Sequence, residues 1–150
     1  MATHQATIHW QRGDSPFTPA EYTRDHVWKM SGEQTINASA APQFRGNAEC
    51  VDPEDAFTAS LSACHMLTFL FLAARGGYTV EEYVDHAEGV LGKTPAGMAM
   101  VKVVLRPQIR FSGEPPNAQI LDDLHHQAHK DCFIANSVST EIVVEGSVTA

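Results

Sequence analysis

From Pro53 to Arg75 the chain carries almost no charge beyond its first turn: Pro53-Glu54-Asp55, then Ala56-Phe57-Thr58-Ala59-Ser60-Leu61-Ser62-Ala63-Cys64-His65-Met66-Leu67-Thr68-Phe69-Leu70 and onward. Asp52 can cap such a helix, Pro53 suits its first position, and Glu54 and Asp55 favour the positive end of its dipole. Gly76-Gly77 supplies the stop. Past Ala56 apolar residues lie on every side, and a helix apolar all round must be covered all round. In a chain of 150 residues a sheet covers one side, and a partner subunit is the natural cover for the other. About 20 apolar residues would also cross a bilayer. Thr58, Ser60, Ser62, Cys64, His65 and Thr68 spot its centre with polar groups, so the reading is a buried core helix and no membrane.

Around that helix the pattern is mostly strands. Residues 4–10, 22–30 and 34–40 read as strands, followed by a loop, Ala41-Pro42-Gln43-Phe44-Arg45-Gly46-Asn47. Residues 81–91 and 98–111 read as two more, joined by a turn through Gly92 to Gly97. Pro115-Pro116-Asn117 opens a second helix whose buried stripe is Ile120, Leu121, Leu124 and Ala128. A last strand covers 139–148. The order β-β-β-α-β-β-α-β predicts an α+β fold with an antiparallel sheet, and residues 1–150 make a single domain.

Net charge is −8 with pI near 5.3, which argues against nucleic acid or an anionic membrane as partner. The first ten residues lack a basic start followed by an apolar stretch, so the expected place is the cytoplasm. Thiols there are kept reduced, and three cysteines (Cys50, Cys64, Cys132) cannot all pair. A transient disulfide stays open as a possibility.

Cys64 sits mid-helix, and its plain reading is one more small buried apolar residue. A thiol must ionise to react, and an ordinary one of pKa about 8.5 is only a few per cent thiolate at neutral pH. A reactive Cys64 therefore needs a cation beside it, most simply an arginine. Glu54 lies roughly 15 Å away along the same helix axis at 1.5 Å per residue, too far for direct contact. His125, His129 and Cys132 share one helix face, as zinc ligands can. Lys130 and Asp131 mark that helix as partly solvent-exposed, so solvated histidines and no metal are expected. A cysteine–histidine hydrolase built on Cys64 with His129 or His26 lacks any sign of an oxyanion hole. Cys50 reads as a spare loop thiol.

Asp52-Pro53-Glu54-Asp55-Ala56-Phe57, then Ala59-Ser60-Leu61-Ser62-Ala63-Cys64, with a second cysteine 68 residues on, resembles the OsmC/Ohr family of thiol peroxidases. The Glu54-to-Cys64 spacing matches the family's Asn-Pro-Glu-Glu to Ala-Ala-Cys spacing, and the element order agrees over nearly the whole chain. The resemblance implies an intertwined homodimer with two long central helices and active sites at the subunit interface. It implies that Cys64 attacks an organic hydroperoxide, or hydrogen peroxide, and becomes a sulfenic acid. Cys132 then closes a disulfide that an external thiol, of lipoyl type in some members, reduces; no cofactor is needed. Glu54 orients an activating arginine, for which Arg45, nine residues upstream, is the choice and Arg24 the reserve. The chain departs from the family pattern in His65 after Cys64, and in Phe133 after Cys132 where proline is usual. His65 and His129 are candidates for tuning the thiols or delivering a proton. Met66, Leu67, Phe69 and Phe71 are candidates to line an apolar peroxide pocket. The rival expectation is a non-catalytic relative that holds a small apolar ligand at the dimer interface.

Overall fold

The computed structural model describes all 150 residues, in two compact units, residues 1–56 and 57–150. In the first, β1 (Ala6–His9), β2 (His26–Met30) and β3 (Thr35–Ala38) form an antiparallel sheet. The strand expected from residue 22 begins only at His26. Tyr22 is instead drawn into an aromatic cluster with Trp10 and Phe17, centroids 5.8–6.4 Å apart, and Arg24 stacks over its ring. The long helix α1 (Pro53–Arg75) starts in this unit, where the Asp52 carboxylate accepts the Asp55 backbone N–H at 2.8 Å.

The second unit holds the rest of α1, β4 (Thr79–Asp85), β5 (Glu88–Thr94), β6 (Gly97–Leu105), β7 (Pro107–Ser112), α2 (Ala118–Asp131), β8 (Glu141–Val144) and β9 (Ser147–Val148). Its strands make two sheets, β4-β7-β9 and β5-β6-β8. Each of the three long strands expected over 81–91, 98–111 and 139–148 is therefore two strands that switch sheets. The break has a cause: Pro107 has no N–H to give a ladder, and the Arg106 N–H leaves it to reach the Asp85 carboxylate at 2.6 Å. The α+β class holds, but the pairing is mixed. β8 runs parallel to β6 and β9 parallel to β7, because both return after α2, and parallel neighbours require such a crossover.

Two cores result. Leu61 packs with Val103 and Leu105 over one sheet, and Phe69, Leu72 and Ala73 pack with Ile109 and Ala128 over the other. One helix thus spans both sheets. Its approach is close enough that a side chain at Gly89 would collide with Thr58 and Met100. Burial is confined to one stripe: Leu61, His65, Phe69, Leu72 and Ala73 are buried, whereas Leu67 and Phe71 are each 64% exposed. By length and composition alone α1 is also apolar enough to cross a membrane. Leu61→Ala leaves a cavity at the α1–sheet contact and should lower unfolding free energy by about 2–4 kcal/mol in urea titrations.

Candidate functional site

The two cysteines expected to act together are neighbours in the fold. Cys64 occupies the middle of α1 and is half-buried rather than buried as expected. Cys132 follows the last turn of α2, 1% exposed, its backbone N–H reaching the His129 carbonyl at 3.3 Å. Cys64 lies close enough to Cys132 to shift its ionisation, and both cysteines are free. Burial first, and then the Cys64 contact, push the Cys132 thiol up to about 11, while the backbone N–H of Ala135, 3.4 Å from its sulfur, pulls the other way. A sulfur held this way stays a protonated thiol at neutral pH.

Beneath them lies a pair the sequence did not announce. His65, next to Cys64, is 1% exposed, and His125, two turns before Cys132, is 6% exposed. His65 Nε2 and His125 Nδ1 are 3.1 Å apart, and the rings lie edge to edge, centroids 5.4 Å apart with 9° between planes. Phe69 stacks on His125 at 4.5 Å. His65 Nδ1, His125 Nε2 and His129 Nδ1 are buried without a hydrogen-bond partner. Burial, with the neighbouring His125 and His129 adding to it, lowers His65 to about 4. Burial likewise lowers His125 to about 4, against the opposing pull of Asp122 and Asp85. His125 was expected to be solvated; the reason it is not lies in its register. It sits one turn from Leu121 and next to Leu124 on the buried stripe of α2, as His65 sits between Leu61 and Phe69 on that of α1. Those spacings were the available signal.

A cleft of about 530 Å³ is lined by Leu67, Thr68, Phe71, Arg75, Lys130 and Phe133, among others, and neither Cys64 nor Cys132 lines it. Thr68, on its wall, donates to the Cys64 carbonyl at 2.9 Å. Of the residues expected to line an apolar pocket at Cys64, Leu67 and Phe71 line this cleft, Met66 does not, and Phe69 belongs to the core.

The charged candidates belong to the other unit. Arg45 is exposed and closes a short 3-10 turn (Pro42–Phe44) in the left-handed conformation, φ 64°, with its N–H on the Pro42 carbonyl at 2.9 Å. Arg24 gives its guanidinium to the carbonyls of Tyr22 and Pro19 at 2.6 and 2.8 Å. Glu54 is half-buried in the first turn of α1. Cys50 is half-buried in the loop ahead of that helix.

The sequence model of the family described as OsmC-like protein matches residues 46–147. A solved OsmC-like protein of unknown function from Vibrio cholerae O1 biovar eltor strain N16961 is 49% identical, with TM-score 0.94 over 98% of this chain and 100% of that one. An OsmC-like protein from Mycoplasma pneumoniae (17% identical, TM-score 0.76, 99% of both chains) shares the fold. So does an organic hydroperoxide resistance protein from Legionella pneumophila, 19% identical, with TM-score 0.68 over 100% and 98% of the chains. No curated protein matches.

Two outcomes follow from this geometry. In a Cys50→Ser, Cys64→Ser background, Cys132 should react with iodoacetamide at pH 8 at least tenfold more slowly than an unstructured cysteine peptide, by mass spectrometry. Between the ordinary value near 6.5 and the folded value near 4, the unfolded chain binds more protons at His65 and His125 than the folded one. Their contribution to stability is therefore complete above pH 6.5 and is lost as pH falls towards 4. Urea titrations should show it, at roughly 3 kcal/mol at most from one ring.

Proposed function

Because the chain belongs to the OsmC/Ohr family of OsmC-like proteins, we propose that it is a cysteine-based peroxidase that reduces organic hydroperoxides. The observation that carries this reading is that Cys64 and Cys132, 68 residues apart in sequence, are neighbours in the fold, the first helping to raise the pKa of the second. Two neighbouring sulfurs, one half-buried and one buried, suit two successive roles. Cys64, facing out of the helix, meets the peroxide. Cys132, held protonated by burial, waits.

In the first step the Cys64 thiolate attacks the outer oxygen of the hydroperoxide. The S–O bond forms, the O–O bond breaks, and the alkoxide leaves and takes up a proton as alcohol. In the second, Cys132 attacks the Cys64 sulfenic acid: the S–S bond forms and the S–O bond breaks. The hydroxyl departs as water with the Cys132 proton. An external dithiol, lipoyl-type by the family resemblance, reduces the disulfide. The high pKa of Cys132 keeps a second negative charge away from Cys64 during the first step, since like charges at that distance would suppress both. The apolar Leu67 and Phe71, one and two turns of α1 on from Cys64, favour an apolar peroxide over hydrogen peroxide.

Arg45 is assigned as the cation that keeps Cys64 anionic, with Glu54 orienting it; Arg24 is the weaker choice, its guanidinium being engaged on two carbonyls and the Tyr22 ring. Residues 1–150 act as one domain, and the protein works as a homodimer in the cytoplasm. The exposed Leu67 and Phe71 on α1 are what such a partner would cover.

The test is turnover of cumene or tert-butyl hydroperoxide with dithiothreitol or a dihydrolipoyl donor. Cys64→Ser should abolish it. Cys132→Ser should stop after a single turnover with a sulfenic acid that dimedone traps, and Arg45→Ala or Glu54→Gln should slow the first step tenfold or more. A wild type that consumes no peroxide would sink this reading and leave the ligand-binding one.

A further inference from the structure

α2 ends at Cys132, and that sulfur must meet a specific atom on α1 for a disulfide to close. The apolar stripe of α2 (Leu121, Leu124 and Ala128 against Phe69, Leu72 and Ile109) holds the helix down, but such contacts tolerate sliding and rotation. The directional contact in this packing is His65 Nε2 to His125 Nδ1 at 3.1 Å. His65 is the residue after Cys64. His125 is two turns, about 10 Å of helix, from Cys132. The imidazole pair thus ties α2 to α1 two turns from the sulfur that must close.

The His125 ring is also enclosed on its other sides. Phe69 stacks on it at 4.5 Å, and the link between β8 and β9 presses on its edge at Gly146, where any side chain would strike the imidazole. A pair of polar rings this buried, with His65 Nδ1 and His125 Nε2 left without partners, is a costly way to fill a core. Two apolar rings would pack as well and stabilise more, but would not fix the rotation of one helix on the other.

We propose that the hydrogen-bonded His65–His125 pair sets the position of Cys132 against Cys64, making both histidines positioning residues for disulfide closure. The inference rests on the two-cysteine reading above. It separates the two chemical steps: attack on peroxide needs Cys64 alone, whereas closure needs both helices in register. A displacement of about 1 Å between reacting atoms can cost on the order of a hundredfold in rate.

The pair also makes closure acid-sensitive. His65 faces His125 and His129 of α2. His125 faces His65 of α1, Asp85 of β4 and Asp122 on its own helix. The two carboxylates soften the effect of burial on His125, yet both rings stay neutral until the pH nears 4. A proton on either ring then places a charge in an apolar contact and loosens the register.

Closure can be read without peroxide. In a Cys50→Ser background, 4,4′-dithiodipyridine forms a mixed disulfide at Cys64, and attack by Cys132 releases a second thiopyridone. His125→Phe should form the mixed disulfide within about twofold of the parent rate and close at least tenfold more slowly. His65→Gln with His125→Asn keeps a hydrogen bond at the same two atoms without a titratable ring. It should close near the parent rate at pH 7, and the parent-to-variant ratio should fall with a midpoint near pH 4. If His125→Phe closes as fast as the parent, or folds too poorly to measure while the ratio stays flat with pH, the positioning role is wrong. Failure to consume hydroperoxide with closure still dependent on His125 would overturn the peroxidase reading alone.

Discussion

Leu61, His65, Phe69 and Leu72 leave α1 on one side, and residues 57–150 are arranged to keep that side dry. Each of the two sheets takes half of the stripe: Leu61 lies over β6, and Phe69, Leu72 and Ala73 lie over β7 and α2. This one contact sets the rotation of α1, and the rotation determines what the opposite side shows. Cys64 comes out half-exposed at the edge of the stripe, while Leu67 and Phe71 point away from it. Shift the helix by one residue and the reactive candidate would be in the core.

Asp85 plays the corresponding part for the strands. Its carboxylate accepts from the Ser62 hydroxyl of α1 and from the Arg106 N–H at the corner where β6 becomes β7. One side chain therefore ties the helix to the point where the chain leaves one sheet for the other. It also adds negative charge near His125, so the corner and the imidazole pair are electrostatically linked. Hydrogen bonds to a charged group are worth more than neutral ones, about 1.5–3 kcal/mol each.

The long helix, its cap at Asp52 and the α+β class were legible in the sequence because each rests on local rules: a run of apolar residues, a capping carboxylate, a proline at the first turn. The strand breaks at Ala87 and Arg106 were not, because nothing in local alternation reports that Arg106 will give its N–H to a carboxylate 21 residues upstream. Cys64 and Cys132 were legible as a possible redox pair from the sequence, but their separate roles came only from the family resemblance. Spacing alone left Cys64 as an ordinary core residue. The histidine pair escaped for a different reason: a helix carrying His125, His126, His129 and Lys130 looks solvated until it is aligned with Leu121, Leu124 and Ala128, and then His125 falls inside. Arg45 and Glu54 were named from the family pattern alone, and they lie in the unit that does not hold Cys64 and Cys132.

The account depends on the chain using Cys64 and Cys132 as one redox couple, with Cys50 a bystander. Peptide mapping by mass spectrometry after reduced protein receives one equivalent of cumene hydroperoxide tests that directly. A single cross-linked species joining the Cys64 and Cys132 peptides, with Cys50 free, is the predicted result. Free thiols at Cys64 and Cys132, or a disulfide that includes Cys50, would contradict it.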